Sequence, residues 1–460
     1  MGCFMRDGQI RISVEVLSED GEVISHEIVQ TKEIKKPESA FELGFRHSEQ
    51  ISLIQKIQQL LLNAQSPLLN SDLSNCAKCG SKLHKRGTVK SDLYSVFTDH
   101  KVAIARKICK SCKWSLTPSI RSIFGSASHP DLIKIQSELG SKHTFREAAN
   151  TLNLLSNTER PVNNHDKVKR VTEAVGYDIS TNPIEPLQDI EPSAELCVQV
   201  DGGHVSTVED NKRSFEAMTA IVFDPKNISH EGGKLTSTGK ITQTRGVLTS
   251  KHCAASALRD NGKTINAQTL NAAIKQGMTK NTKMTAICDG AKNCWSVIDN
   301  LENYSYSIER VLDWHHVAMK FQNSRLGDES LNEKLMGAKW HLWHGDSTSA
   351  ITKLDDLLVS CKDDEKKIEK LTKLQTYIEN NASYIPDYRQ KQDNGEIFTS
   401  QLAECTVESL INKRCKGQQH MRWSREGLHA LLQVRAAVNS GDWNDICETH
   451  IESAMYKKAA

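Results

Sequence analysis

The chain has no apolar run approaching the roughly 18 residues that a membrane-spanning helix needs. Its opening, Met-Gly-Cys-Phe-Met-Arg, lacks the long apolar core of a signal peptide, and Arg6 stands where a myristoylation signal would carry Ser or Thr. A cytoplasmic protein without membrane contact is therefore expected. An excess of either charge is also missing: the 460 residues sum to only +2. Nor is there an even cysteine set. Of 13 cysteines, four form two Cys-x-x-Cys pairs and the rest are scattered. That argues against a disulfide framework and for a metal site in a reducing compartment. With 38% hydrophobic and 25% charged residues the chain has an ordinary soluble composition. Its length suits roughly two to four domains.

The small net charge hides an uneven distribution. Residues 76–180 carry 18 Lys and Arg against 9 Asp and Glu, a net +9, which leaves the remainder near −7. A basic front and an acidic remainder suit a protein whose front holds nucleic acid. A merely solvated basic face has the same composition, so charge leaves both open.

Residues 8–34 alternate in period two and read as a β-hairpin turned at Glu19-Asp20-Gly21; residues 38–64 have helical apolar spacing that Ser66-Pro67 breaks. Next come Cys76-Ala-Lys-Cys79 and, after a β-like stretch, Cys109-Lys-Ser-Cys112. Two thiolate pairs supply four soft ligands for one tetrahedral structural Zn²⁺, the form of a zinc ribbon. His84 is too close to the first pair to be needed and reads as surface. Residues 131–175 predict helices, one opened by the capping-box spacing Thr144-Phe-Arg-Glu147 and one bearing Lys167, Lys169 and Arg170. This fits a helix-turn-helix reader of DNA and fits a plain αα-hairpin equally. Pro183, Pro186 and Pro192 mark a linker.

Beyond the linker, short apolar runs predict strands at 196–200, 216–223, 245–249, 285–288 and 306–312. Helices are predicted at 253–261, 267–278 and 291–301, then across a charged block at 317–395, and again at 424–438. Two strands end on an acid followed by glycine: Val-Gln-Val-Asp201-Gly-Gly-His204 and Ala-Ile-Cys-Asp289-Gly-Ala. A strand delivers a carboxylate to a sheet edge in this way, with the glycine leaving room for a ligand. A lone Asp-Gly is also an ordinary turn former. A third acid, Glu404, opens a helical run. Gathered carboxylates suit Mg²⁺. A mixed sheet with carboxylates on adjacent central strands is what an RNase H-like core provides.

Asp201-Gly-Gly, Asp289-Gly-Ala, Asp313-x-x-His316 and Glu404 together resemble the acid pattern of DDE transposases with a helical insertion. Ala403-Glu-Cys-Thr-Val, Lys413-Arg414, Lys416-Gly-Gln-Gln-His-Met-Arg-Trp-Ser424 and Leu431-Leu-Gln-Val-Arg435 are similar to ISKra4-type insertion-sequence transposases. The likeness covers about residues 195–440. Two departures stand out: His315 replaces the usual aromatic inside Asp-x-x-His, and Thr399-Ser-Gln replaces a glycine-rich approach to the glutamate. Glu404 matches that glutamate when Arg414 is the anchor; Glu408 lies one helical turn further on.

The resemblance implies a multidomain α+β and α/β protein. Residues 1–70 would form the hairpin and helix, 71–125 the zinc ribbon, and 126–180 the helix-turn-helix-like part. An RNase H-like core would span 195–320 and 396–460 around an all-helical insertion at 321–395. Asp201, Asp289 and Glu404 would be catalytic and hold two Mg²⁺ (or Mn²⁺), with Asp201 bridging and His316 and Asp313 in support; His204 is a weaker candidate. Lys167, Lys169, Arg170, Arg414, Lys416 and Arg422 would contact DNA, with Arg435 a further cation, while Trp423 would stack on a base or, as the favoured reading, pack. The implied function is Mg-dependent cleavage and strand transfer of DNA by an enzyme that binds element ends and target as a homo-oligomer. A DNA-binding derivative that no longer transposes, and a metal nuclease on the same fold, remain open.

Overall fold

The structure, a computed structural model, describes residues 8–69, 74–184, 190–231, 245–400, 408–416 and 421–456. The chain divides into two compact units: Met1–Asp178 with Asp445–Ala460, and Ile179–Asn444.

In the first unit, strands β1 (Gly8–Leu17) and β2 (Val23–Ile34) pair as the antiparallel hairpin that the alternation predicts. Helix α1 (His47–Gln65) follows and buries none of its residues. Strands β3 (Leu83–Tyr94), β4 (Asp99–Cys109) and the two-residue β5 (Ser115–Leu116) make a small antiparallel sheet. Its inner face carries Val102 and Ile104, packed on Ile120 with Val89 and Leu93 alongside. Helices α2 (Ile120–Phe124), α3 (Pro130–Lys142), α4 (Phe145–Leu155) and α5 (His165–Thr181) come next. The capping box read at Thr144 is present: Thr144 Oγ1 accepts from the Glu147 amide, and the Glu147 carboxylate accepts from the Thr144 amide. Leu132, Ala148, Leu152 and Val168 close the core between α3, α4 and α5.

The second unit is built on a five-stranded mixed sheet. Its strands are β6 (Glu195–Ser206), β7 (Ser214–Phe223), β10 (His252–Ser256), β11 (Lys283–Cys288) and β12 (Ser307–Leu312), in the order β10-β7-β6-β11-β12. β6, β11 and β12 run parallel to one another; β7 and β10 are antiparallel additions. Between them, β8 (Ile228–Glu231) and β9 (Arg245–Leu248) pair as a separate ribbon. Leu196, Val198 and Val200 face one side of the sheet, towards helices α6 (Lys263–Lys275) and α7 (Lys292–Asp299). Cys197, Ile287 and Val311 face the other side, with Tyr388 and Trp314. Both faces are covered, which is why residues 196–200 of β6 read as an apolar run interrupted only by Gln199.

The charged block is helical, as read: α8 (Trp314–Asn323), α9 (Glu329–Trp343), α10 (Ser347–Ser360), α11 (Glu365–Asn381) and α12 (Tyr388–Asp393). It has its own core of Leu335, Leu342, Leu354, Leu371 and Ile378. A π-helical turn at Glu408–Asn412, α13 (Arg425–Ser440) and α14 (Trp443–Met455) complete the described chain. The part of α14 from Asp445 belongs to the first unit, where buried His450 and Ser453 both bond Asp178.

Two local expectations are corrected. Residues 253–261 are not a helix: Cys253–Ser256 lie in β10 opposite Met218–Ile221 of β7. Ala254 and Ala255 suit a helix by propensity, but a free sheet edge and burial override it. And β6 does not end at Asp201; it runs five residues further, to Ser206.

Candidate active site and metal centre

The parallel register decides where the acids meet. Val200 of β6 lies opposite Cys288 of β11, and Cys288 lies opposite Leu312 of β12. The next residue along the chain is an acid in each case, so Asp201 within β6 and Asp289 and Asp313 just past the ends of β11 and β12 stand level across three neighbouring strands. Strands in a sheet are about 4.8 Å apart. By strand alternation all three continue the face of Cys197, Ile287 and Val311. They line one cleft of about 180 Å³ with His315, His316, Ser400, Glu408 and Asn412.

The three acids are not equivalent. Asp313 is fully buried and caps α8. Its Oδ1 accepts from the His315 amide at 3.1 Å and the Ser400 amide at 2.8 Å. Its Oδ2 accepts from the His316 amide at 3.4 Å, from Ser400 Oγ at 2.6 Å, and pairs with His316 Nδ1 at 2.5 Å. Burial opposes its charge, but the bonds from His316 and Ser400 outweigh burial and hold the carboxyl below its ordinary range. With five donors on two oxygens, it has little left for a ligand. Among the described residues, Asp289 Oδ1 accepts only the Ala291 amide, at 2.9 Å, and Asp201 Oδ1 only the Gly202 amide, at 2.7 Å. Burial raises the Asp201 carboxyl above its ordinary range; His316 and the Gly202 amide pull it down, and Asp289 and Asp313 add to the rise. Burial likewise works against charge on His316, but its bond to Asp313 and the charges of Asp313, Asp201 and Asp289 raise its pKa on balance. The cleft therefore holds available carboxylates beside an imidazole whose pKa is raised and whose ring is fixed by a dedicated acid.

The helical block braces the strand ends. Tyr377 of α11 donates to the Asp289 carbonyl at 2.9 Å, and Tyr388 of α12 to the Leu312 carbonyl at 2.8 Å. The glycines behind the acids are also sites of close packing. A Cβ at Gly203 would stand 2.9 Å from Ile411 Cδ1, and one at Gly290 would stand 2.6 Å from Asn381 Oδ1. Gly290 also has φ +91°, which side-chain-bearing residues rarely adopt. Gly202 faces the Glu216 carboxylate.

Glu404 lies outside the described residues. Glu408, four residues on, lines the cleft, with its Oε2 accepting from Asn412 Nδ2 at 2.8 Å. Its signal was the i, i+4 relation to Glu404. Ser400 had none, being one polar residue in a polar run. His204 falls on the strand face opposite Asp201 and is exposed. Arg414 is buried, its guanidinium 5.2 Å from the centre of the Trp423 ring, and buried Arg435 donates to the Leu410 carbonyl at 2.6 Å. Both cations support the 408–416 segment from within and do not form part of the exposed surface. Trp423 is buried, as read, while Lys416 and Arg422 are exposed. Lys167 is half-buried, and burial together with Arg170 and Arg121 lowers its pKa; Lys169 stands 3.8 Å from Glu173.

In the first unit, Cys76, Cys79, Cys109 and Cys112 place their four Sγ atoms within 4.8 Å of one another. Among the described residues this is the one group of three or more such ligands that is so tight. Cys76 Sγ to Cys112 Sγ is 3.6 Å and Cys79 Sγ to Cys109 Sγ is 3.5 Å. Four sulfurs about 2.3 Å from one Zn²⁺ are separated by about 3.8 Å, so the donor set fits. The two loops that carry them share one design. The Cys76 amide donates to the Ser81 carbonyl and the Cys109 amide to the Trp114 carbonyl, each at 2.8 Å. The residue after each second cysteine, Gly80 or Lys113, has positive φ. Ser81, by its side chain and then its amide, holds the Cys79 thiol down to about 6; at Cys112 the Trp114 amide pulls the same way, but burial and the other three thiols push it up to about 12, so the cluster's first thiolate forms at Cys79. The cluster can hold a structural metal such as zinc, and His84 is exposed, as read.

A family model described as an uncharacterised protein family, UPF0236, matches residues 228–450. Among solved structures, the chain is similar to the Drosophila P element transposase strand transfer complex, at 11% identity over 71% of this chain and 84% of that one, with a TM-score of 0.21. A superposition that poor carries no argument about function. No curated protein matches the chain. No described helix is long and apolar enough to cross a membrane.

Proposed function

We propose that residues 179–444 form the RNase H-like catalytic core of a DDE-type DNA transposase of the ISKra4 kind, and that the first unit holds DNA. The observation that carries the reading is the level alignment of Asp201, Asp289 and Asp313 on one face of three parallel strands. Asp313 serves the fold as a helix cap, while the other two acids stand over the cleft where phosphoryl transfer through divalent ions needs carboxylates. Asp201 and Asp289, each bonded to a single amide, offer free oxygen lone pairs, and the donor set is oxygen only, which fits Mg²⁺ or Mn²⁺. Glu404 by the motif, with Glu408 already in the cleft, would complete the set. Two such ions when bound would supply Lewis-acid activation of the attacking oxygen and neutralisation at the scissile phosphate.

The chain's own residues do the rest. His316, bonded to Asp313, which favours its charged form, orients a phosphate oxygen or one of the carboxylates. Ser400 keeps Asp313 ionised and in place. The tyrosines of the helical block fix the carbonyls at the strand ends, so the carboxylates start from one geometry. The cysteine cluster would be a folding element of the DNA-holding part, with one Zn²⁺.

The test uses labelled element-end DNA with Mg²⁺. Asp201→Asn and Asp289→Asn should each abolish cleavage and strand transfer and leave end binding nearly intact. Cleavage without joining by the wild type would make it a nuclease. Binding without either would make it a DNA-binding derivative.

A further inference from the structure

We infer that the outward face of the β3–β4 hairpin, not helix α5, is the principal surface of the first unit for the phosphates of duplex DNA. The inference rests on the DNA reading above and adds the surface that does the holding.

Residues 76–116 contain ten Lys and Arg against two Asp. Both acids are engaged: Asp92 by Lys101, and Asp99 by Arg160 from outside the hairpin. Lys85, Arg86, Lys90, Arg106, Lys110 and Lys113 are all exposed, and none has an ion pair among the described residues. Nothing within the hairpin neutralises them.

The register sharpens the point. Lys85 lies directly opposite Lys107, a like-charge cross-strand pair, which destabilises a sheet. Along the same face Thr88 lies opposite Ala105, and Lys90 opposite Ala103. The face is thus cationic at its margins and small in between, so a phosphate backbone can approach closely. The reverse face, through Val89, Val102 and Ile104, is locked into the core, so the cations stand on a rigid sheet. No aromatic occupies the outward positions 85, 88, 90, 103, 105 and 107. That disfavours a single strand, whose bases want stacking partners, and favours a duplex read through its phosphates.

Helix α5 offers less. Lys167 is half-buried, Lys169 faces Glu173, and Arg170 Nε donates to the Asp166 carbonyl at 3.3 Å.

The experiment measures affinity of the full zinc-loaded chain for mixed-sequence duplex DNA against salt. Each phosphate contact contributes about 0.9 to the slope of log K against log salt. The double variant Lys85→Gln, Lys90→Gln should lower the slope by about 2, equally for all sequences, without lowering the thermal midpoint, since it relieves repulsion. The pair Lys167→Gln, Lys169→Gln should change the slope by less than half as much. Should the hairpin variant keep the wild-type slope while the helix variant loses it, the hairpin placement is wrong and DNA binding stands. Should the wild type bind duplex DNA without salt dependence, or not at all, both this inference and the DNA reading fall. Tighter binding of single-stranded RNA than of the duplex would overturn the partner.

Discussion

Asp313→Asn separates an acid that builds the site from acids that are free to act in it. The amide must put its oxygen at the Oδ1 position, because the His315 and Ser400 amides there can only donate. Its NH₂ then falls at the Oδ2 position, facing the His316 amide and Nδ1 and the Ser400 hydroxyl. Ser400 can turn and His316 can change tautomer, but the backbone amide cannot. The loss is one helix-cap bond, about 1 kcal/mol, and one charge-assisted bond, about 1.5–3 kcal/mol. Together that is about 3 kcal/mol, or roughly 6–12 °C in midpoint for a unit of this size. Asp289→Asn gives up no more than one exchangeable acceptor and relieves repulsion with Asp201, so its stability should change by less than about 0.5 kcal/mol. Urea unfolding of the two variants gives the comparison. A second readout is the titration of His316 by NMR with isotope-labelled histidine. Its pKa is raised in the fold, so the pair's contribution is complete below about pH 6.5, the unfolded histidine value, down to the carboxylate range near about pH 4, and it fades as pH rises through the folded histidine value or falls through that of Asp313. In Asp313→Asn the His316 pKa should fall towards or below about 6.5. Equal stability of the two variants, with His316 titrating as in the wild type, would refute the division of roles.

Cys109→Ser should release the roughly one zinc per chain that metal analysis of purified protein finds; stoichiometric zinc surviving the change would discount the four-cysteine site. His429 is buried among Ser180, Ser256 and Gln433, and burial holds its imidazole down to about 4 against the opposing charge of Asp260. The unfolded chain takes up that proton near pH 6.5, so stability should drop by about 2 kcal/mol between about pH 7 and pH 5, and His429→Gln should flatten that slope in urea titrations. Gly290→Ala forces a Cβ onto Asn381 at positive φ, and should cost about 1–3 kcal/mol and slow cleavage, because Asp289 is the preceding residue. Unchanged melting and rate would mean that α11 does not hold this turn.

Features that depend on spacing along the chain were legible in the sequence. The two Cys-x-x-Cys loops close on themselves within six residues, so ligand type and spacing suffice to predict them. The apolar runs before Asp201 and Asp289 and the helical periodicity of 317–395 report burial on one face, which a local pattern records. Elsewhere the outcome depended on what lay opposite. The small residues at 253–256 have no preference strong enough to resist pairing with β7, so they became strand. Glycines that look like room for a ligand became contact points for Ile411 and Asn381, because helices arrive there from more than 90 residues away in sequence. Arg414 reads as a surface cation but is enclosed by the tertiary fold. Most of all, nothing along the chain says that Asp201, Asp289 and Asp313 share a level, nor that the third is already saturated by Ser400 and His316. Register between parallel strands is set by how the crossover helices pack, and hydrogen-bond saturation by which donors that packing delivers. Residue types and local patterning come from the chain; which of three similar acids is left free to act was decided only in three dimensions.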